Sequence, residues 1–87
     1  MTFDGAILEE QGVTFGIAVV KSHVPSNHTE ANRLIAAYQG ILRVAPVVLM
    51  AQDSRGVPTY YGRKDIVAFL ANINMARIPW KTYTYTS

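Results

Sequence analysis

The sequence predicts a small α+β domain, a two-layer sandwich in which two helices lie on one face of a mainly antiparallel sheet of four or five strands. Two observations lead to this class. Segments in which apolar residues alternate with period two occur in pairs, and each pair is followed by a segment whose apolar residues recur at i, i+3, i+4 and i+7. The predicted order of elements is therefore ββαββα, followed by a C-terminal segment that has strand composition.

The first two strands are predicted at Phe3–Glu10 and Val13–Val20, with a turn at Gln11-Gly12 between them. The second strand has large apolar side chains on one face and small ones, including Gly16 and Ala18, on the other. We expect helices on the larger face. We expect the smaller face either to be thinly covered or to meet another sheet.

The first helix has clear boundary signals. Pro25 ends the strand segment, and Asn27 and Glu30 have the spacing of a capping box. Gly40 is predicted to end the helix. The apolar stripe of the helix consists of Ala31, Leu34, Ile35 and Tyr38.

The third and fourth strands are predicted as a hairpin. Pro46–Gln52 does not alternate, which indicates a strand buried on both faces. The turn Asp53–Gly56 leads to Val57–Tyr61, where Pro58 lacks an N–H group and favours an edge position. Gly62 then precedes the second helix.

The second helix is predicted to close at Asn72 or Asn74, well before Pro79. Its apolar stripe consists of Ile66, Phe69, Leu70 and Ile73. Residues 1–79 are predicted to form one domain. Residues 80–87, in which threonines alternate with lysine and tyrosines, are predicted to be a tail or an edge strand.

Residues 46–72, PVVLMAQDSRGVPTYYGRKDIVAFLAN, resemble the second half of thioredoxin-fold proteins. The shared order is a strand led by proline, a hairpin, a glycine and a last helix. The resemblance implies an alternative fold, a mixed-sheet βαββα core with an added N-terminal strand. The redox cysteine pair of those proteins is absent, and the nearest segment, His23-Val24-Pro25, cannot perform thiol chemistry.

The absence of cysteine excludes disulfides, cysteine nucleophiles and thiolate metal sites, and it favours a reducing, cytoplasmic location. The acidic N-terminus, MTFDGAILEE, lacks the basic region of a signal peptide. The apolar runs are too short to span a membrane, so no membrane partner is predicted. Charged residues make up 16% of the chain, against about 25% in typical domains. This low charge favours burial of apolar surface against a partner, which we expect to be a second copy.

A candidate ligand-binding site consists of Gly62, Arg63, Lys64, Tyr60 and Tyr61. A helix N-terminus favours anions, and two cations at this position oppose the helix dipole unless a phosphate or carboxylate binds there. In the alternative interpretation both cations are solvated and Asp65 balances the dipole. The two tyrosines are neighbours on a strand, so we expect them to face opposite sides of the sheet.

A candidate interface consists of Trp80, Tyr83 and Tyr85. An edge strand of this composition can add to a neighbouring sheet, including that of a second copy. The sequence therefore favours a non-enzymatic interaction domain that forms a homodimer, through either this strand or the smaller sheet face. A module that binds a small anion at the second helix is the alternative.

Other sites have less support from the sequence. His23 and His28 with Glu30 form a metal-like set, but two loop histidines explain them better, so no metal and no cofactor are predicted. No catalytic residues are predicted, because Ser22 and His23 point apart and no glycine-rich phosphate loop occurs. The basic residues are scattered, which disfavours nucleic acid as a partner. Weak binding of nucleic acid would use the tyrosines together with Arg55, Arg63, Lys64 and Lys81.

Overall fold

The computed structural model describes residues 1–86 and contains one five-stranded sheet and two α-helices. The strands are β1 (Thr2–Glu10), β2 (Val13–Val19), β3 (Val47–Gln52), β4 (Pro58–Tyr61) and β5 (Lys81–Thr84). The helices are α1 (His28–Leu42) and α2 (Lys64–Ala71), and short 3₁₀ helices span Val24–Ser26 and Met75–Arg77.

The strand order in the sheet is β4-β3-β2-β1-β5. Strands β2 and β3 are parallel, and the other pairings are antiparallel, so the predicted α+β class and mainly antiparallel sheet are confirmed. The turn between β1 and β2 has positive φ at both Gln11 and Gly12, as a tight two-residue hairpin turn requires. Pro58 lies on an edge strand, as predicted. The C-terminal segment forms the opposite edge strand, β5.

The two helices lie on opposite faces of the sheet, whereas the sequence placed both on one face. Helix α1 covers Ala18, Val47 and Leu49, and α2 covers Phe15, Ile17 and Val48. The reason is that the parallel neighbours β2 and β3 are apolar on both sides, so each side needs a cover. The crossover from β2 to β3 supplies α1 on one face, and the chain leaving β4 supplies α2 on the other.

The smaller face of β2 is closed by α1 and the residues after it. Ala18 is fully buried, and a Cβ atom on Gly16 would lie 2.9 Å from Val44 Cγ1 and 3.0 Å from Leu42 Cδ1. The small residues of this face therefore let the chain at the end of α1 approach the sheet closely. The expectation that this face is thinly covered or meets another sheet is wrong.

The helix boundaries agree with the sequence in part. Asn27 caps α1, and its Oδ1 accepts a hydrogen bond of 3.2 Å from the Glu30 N–H. Asn72 caps the end of α2, and its Nδ2 donates to the Ala68 carbonyl at 2.8 Å. Gly40 does not end α1, because buried Leu42 extends the apolar stripe past it. The helix ends instead at Arg43, which adopts the left-handed conformation at φ 56°.

After β1 the order of elements is β-α-β-β-α within a mixed sheet, as the alternative fold implied. Within residues 1–86, neither α-helix has the length and apolar composition needed to cross a membrane.

Candidate functional site

Tyr60 and Tyr61 point to opposite faces of the sheet, as the period of the strand predicted. Tyr61 lies on the α1 side, where its hydroxyl donates a hydrogen bond of 3.0 Å to Asn32 Oδ1 and its ring lies 5.1 Å from the His28 ring. Tyr60 packs against the α2 side, and its hydroxyl oxygen is buried without a hydrogen-bond partner among residues 1–86. Burial raises the pKa of the Tyr60 hydroxyl.

A cleft of about 540 Å³ lies between α1 and the turn that joins β4 to α2. Its apolar lining consists of Ile35, Pro46 and Val47. The other lining residues are His28, Asn32, Gln39, Tyr61, Gly62, Arg63 and Lys64, and none of them is acidic. Of the five predicted ligand-binding residues, Tyr60 is therefore the one that does not line this cleft.

Gly62 fixes the turn at one end of the cleft. Its φ is +151°, and a Cβ atom there would lie 3.1 Å from Val48 Cγ2 and 3.3 Å from Val48 Cα. Only glycine combines this backbone conformation with such a close approach to β3. The turn directs Arg63 and Lys64 into the lining of the cleft.

The N-terminus of α2 already has an anionic partner in Asp65. Its Oδ1 accepts a hydrogen bond of 2.8 Å from Arg63 Nε, and both side chains are exposed. Partial desolvation acts to raise the pKa of Asp65, but hydrogen bonds from Arg63 and from the Ile66 backbone, with the charge of Arg63, outweigh it and lower that pKa. Asp65 therefore places a negative charge in the first turn of α2, where it favours the helix dipole, and it pairs with one of the two cations.

The predicted interface residues separate into two groups. Tyr83 and Tyr85 lie on the α1 side of the sheet, next to β1. Trp80 lies on the α2 side, where its indole Nε1 donates a hydrogen bond of 3.0 Å to the Met75 carbonyl. Trp80 therefore fixes the segment after α2, and the two tyrosines remain at the sheet edge.

Phe3 is the centre of an aromatic cluster at this edge. Its ring lies 4.7 Å from that of Tyr38, 5.3 Å from that of Tyr83 and 5.7 Å from that of Tyr85. Phe3 is buried and the three tyrosines are half-buried. Burial, and to a lesser degree nearby Tyr85, raises the pKa of Tyr38. No pattern in the sequence predicted this cluster, because none of them pairs the first strand with the last.

The backbone of β5 alternates in direction, and this alternation determines which groups face solvent. Met1 and Tyr85 exchange two backbone hydrogen bonds of 2.9 Å, and the register continues with Phe3 opposite Tyr83. In an antiparallel ladder the intervening residues direct their N–H and C=O groups away from that partner. The outward groups of β5 therefore belong to Thr82 and Thr84.

The opposite edge, β4, presents fewer donors. The Asp53 N–H donates to the Val57 carbonyl at 3.1 Å, so Val57 and alternate residues after it face β3. Pro58 therefore faces outward, where it offers no N–H group. Among the described residues, the outer edge of β5 is the sheet edge better suited to pairing.

The other candidate residues do not converge. Arg63 and Lys64 follow β4 and Lys81 begins β5, so these cations lie near opposite edge strands, whose axes are roughly 19 Å apart at the usual strand spacing. Within residues 1–86, no group of three or more His, Asp or Glu side chains is arranged to hold a metal ion. His23 and His28 belong to the segment before α1 and to its first turn.

No protein-family model, curated protein or solved structure matches this chain. The comparison with solved structures therefore adds no support to the thioredoxin resemblance.

Proposed function

We propose that this chain is a non-enzymatic interaction domain that forms a homodimer through the outer edge of β5. The observation that carries the proposal is the row of outward backbone groups on Thr82 and Thr84, at an edge that no segment of the described chain covers. Such an edge is a template for strand addition. The proposed setting is the cytoplasm, since a secreted domain of this size is usually rich in cysteine and this chain has none.

Two further features of the sheet edges support a second copy of the chain as the partner of β5. Pro58 protects the opposite edge, so growth stops at two copies rather than continuing into a fibre. The half-buried rings of Tyr83 and Tyr85 stand beside the β5 edge and gain cover when another strand adds there. Tyrosine is enriched at protein interfaces because its ring is apolar and its hydroxyl tolerates water.

A proline substitution tests the proposal directly. In the Thr84→Pro variant the outward N–H is lost, whereas the hydrogen bonds from β5 to β1 use other residues. Thr84→Val removes the same hydroxyl and keeps the N–H, so it is the matched control. By light scattering at roughly tens of micromolar, we expect a dimer for the native chain and for Thr84→Val, and a monomer for Thr84→Pro. A monomeric native chain at this concentration refutes the proposal.

A second candidate function is the binding of a small anionic ligand in the cleft between α1 and the β4–α2 turn. The favouring observation is that Arg63 and Lys64 line the same cleft as His28 and Asn32, and that none of the described residues contributes a carboxylate to the lining. Asp65 already engages Arg63, so among residues 1–86 Lys64 supplies the principal positive charge of this cleft that has no ion-pair partner. The apolar lining indicates a ligand that carries an apolar part as well as its phosphate or carboxylate.

An NMR titration tests this second function with inorganic phosphate, a nucleotide panel and a sugar-phosphate panel. We expect amide shifts confined to Gly62–Ile66 and the facing turns of α1, and at least a several-fold loss of affinity in Lys64→Gln. Lys81→Gln removes the same charge at the distant edge and should leave the affinity unchanged. If none of these compounds shifts the amide resonances, this second function is rejected.

A further inference from the structure

We infer that two copies pair their β5 strands antiparallel, with Thr82 of each copy opposite Thr84 of the other and with the two Tyr83 residues facing each other on the two-fold axis. This inference rests on the proposed dimer and adds the register. Register determines which side chains meet, because a shift by one residue moves every side chain to the other face.

The direction of the backbone groups restricts the register. Within β5, only Thr82 and Thr84 direct their N–H and C=O groups outward. Each hydrogen-bonded pair between the two copies must therefore join two of these threonines, or one of them and an alternate residue outside the strand. Pairing Thr82 with the second copy's Thr84 satisfies both residues in both copies. All four residues then lie inside the strand as it already exists, so no further chain has to be ordered.

The two neighbouring symmetric registers need residues outside β5. A register centred on Thr82 brings in Trp80, whose N–H already donates to the Ile78 carbonyl at 2.8 Å. A register centred on Thr84 brings in Thr86, which lies beyond the strand. Both alternatives therefore depend on residues that are not part of the strand, whereas the register centred on Tyr83 uses strand residues alone and is favoured.

The side chains agree with this register. Directly opposed residues of an antiparallel pair share a face, so the two Tyr83 rings meet on the α1 side. Lys81 lies opposite Tyr85 of the second copy, and Lys81 Nζ is already 5.1 Å from the centroid of the Tyr83 ring on the same face. A cation over a tyrosine ring is an attractive pair. The Cα atoms of the two Lys81 residues lie roughly 13 Å apart along the strands, which limits the repulsion between their side chains.

Disulfide trapping tests the register, because the chain has no cysteine of its own. Tyr83 faces itself across a non-hydrogen-bonded pair, where Cα atoms lie about 4.5 Å apart, within the range that a disulfide spans. In the same register, Thr82 and Thr84 are each roughly 8 Å from their own copies, beyond that range. Under mild oxidation we expect Tyr83→Cys to cross-link at least tenfold faster than Thr82→Cys or Thr84→Cys.

The outcomes separate the register from the dimer itself. If the native chain is dimeric by light scattering and Thr82→Cys or Thr84→Cys cross-links fastest, the register is wrong and the proposed function stands. If the native chain is monomeric, the function fails as well. Adding Thr84→Pro to Tyr83→Cys should abolish the cross-link, and a persistent cross-link would also contradict the register.

A measurement on the native chain covers the case in which Tyr83→Cys fails to fold. In a mixture of isotope-labelled and unlabelled chains, filtered NMR spectra should show contacts between the Lys81 side chain of one copy and the Tyr85 ring of the other. A native dimer that lacks this contact overturns the register.

Discussion

The ring of Tyr83 stacks on the ring of Phe3, with centroids 5.3 Å apart and an angle of 16° between their planes. The two residues are directly opposed in the pairing of β1 with β5, so the first and last strands share one aromatic contact. Tyr38 of α1 contacts the same phenylalanine ring at 4.7 Å. Phe3 therefore holds β5 to the sheet and to α1 at once.

Replacing Phe3 by alanine should lower the free energy of unfolding by about 3–5 kcal/mol, because the change removes a buried ring and leaves a cavity. Urea denaturation measures this loss. Hydrogen exchange should accelerate at the Tyr83 and Tyr85 amides, which point toward β1. Ile7→Ala is the control, since Ile7 is on the same strand and 40% exposed, and it should cost less. Equal losses in the two variants would show that the aromatic cluster does not anchor β5.

Substitution by alanine should change the free energy of unfolding in opposite directions at Gly5 and at Gly40. A Cβ atom on Gly5 would lie 2.6 Å from the Ile17 carbonyl oxygen and 3.1 Å from the Phe3 ring, so Gly5→Ala forces a rigid strand to move. We expect a loss of about 1–3 kcal/mol of unfolding free energy. Gly40 lies within α1, and none of the described residues outside the helix has an atom within 4 Å of the position a Cβ would take, so Gly40→Ala should gain about 0.5–1 kcal/mol. Thermal or urea unfolding measures both changes. A rise in the free energy of unfolding for Gly5→Ala would show that the close approach at Gly5 does not restrict a side chain there.

The features that the sequence predicted correctly are local. The alternation of β2, the two helical stripes, the Asn27 cap and the edge position of Pro58 each follow from residues a few positions apart. Gly40 shows the limit of a local signal, because the buried contact of Leu42 offsets the helix cost of a glycine and carries α1 past it. Tertiary contact decided where the helix ends.

The features that the sequence missed depend on long-range pairing. The placement of α1 and α2 on opposite faces follows from the parallel pairing of β2 with β3, which no turn signal specifies. The composition of the cleft also depends on long-range pairing. The strand period predicted that Tyr60 and Tyr61 face opposite sides of the sheet, but no local pattern predicted that His28 and Asn32 would lie beside Tyr61. These α1 residues reach the cleft because the crossover brings the helix back over the edge of the sheet.

Removing the hydroxyl group should lower stability at Tyr61 and should not lower it at the adjacent Tyr60. The Tyr60 hydroxyl is buried and has no hydrogen-bond partner within residues 1–86. An unsatisfied buried polar group costs about 1–3 kcal/mol, so Tyr60→Phe should leave the free energy of unfolding unchanged or raise it. Tyr61→Phe loses the hydrogen bond to Asn32 and should lower it by roughly 0.5–1 kcal/mol. Urea denaturation of the two variants at neutral pH measures both changes. A clear loss in Tyr60→Phe would indicate that its hydroxyl has a partner.

Alkaline pH should destabilise the chain through its half-buried tyrosines. Burial raises the pKa of Tyr60 and, together with Tyr85, that of Tyr38 above the ordinary value, because the folded state disfavours the phenolate. When the pKa of a tyrosine is higher in the folded state than in the unfolded state, its contribution to stability is fully present below the unfolded pKa, near pH 10. This contribution is lost as the pH rises through the folded pKa. Chemical denaturation between roughly pH 8 and 11 should therefore show falling stability at the alkaline end.

The same series on Tyr60→Phe isolates one contribution to that decline. Phenylalanine cannot ionise, so the variant should lose less stability than the native chain above pH 10, while the two curves run parallel below pH 9. Tyr38→Phe should flatten the decline in the same way, since burial raises the pKa of that hydroxyl as well. A decline as steep in both variants as in the native chain would mean that the folded state does not disfavour either phenolate.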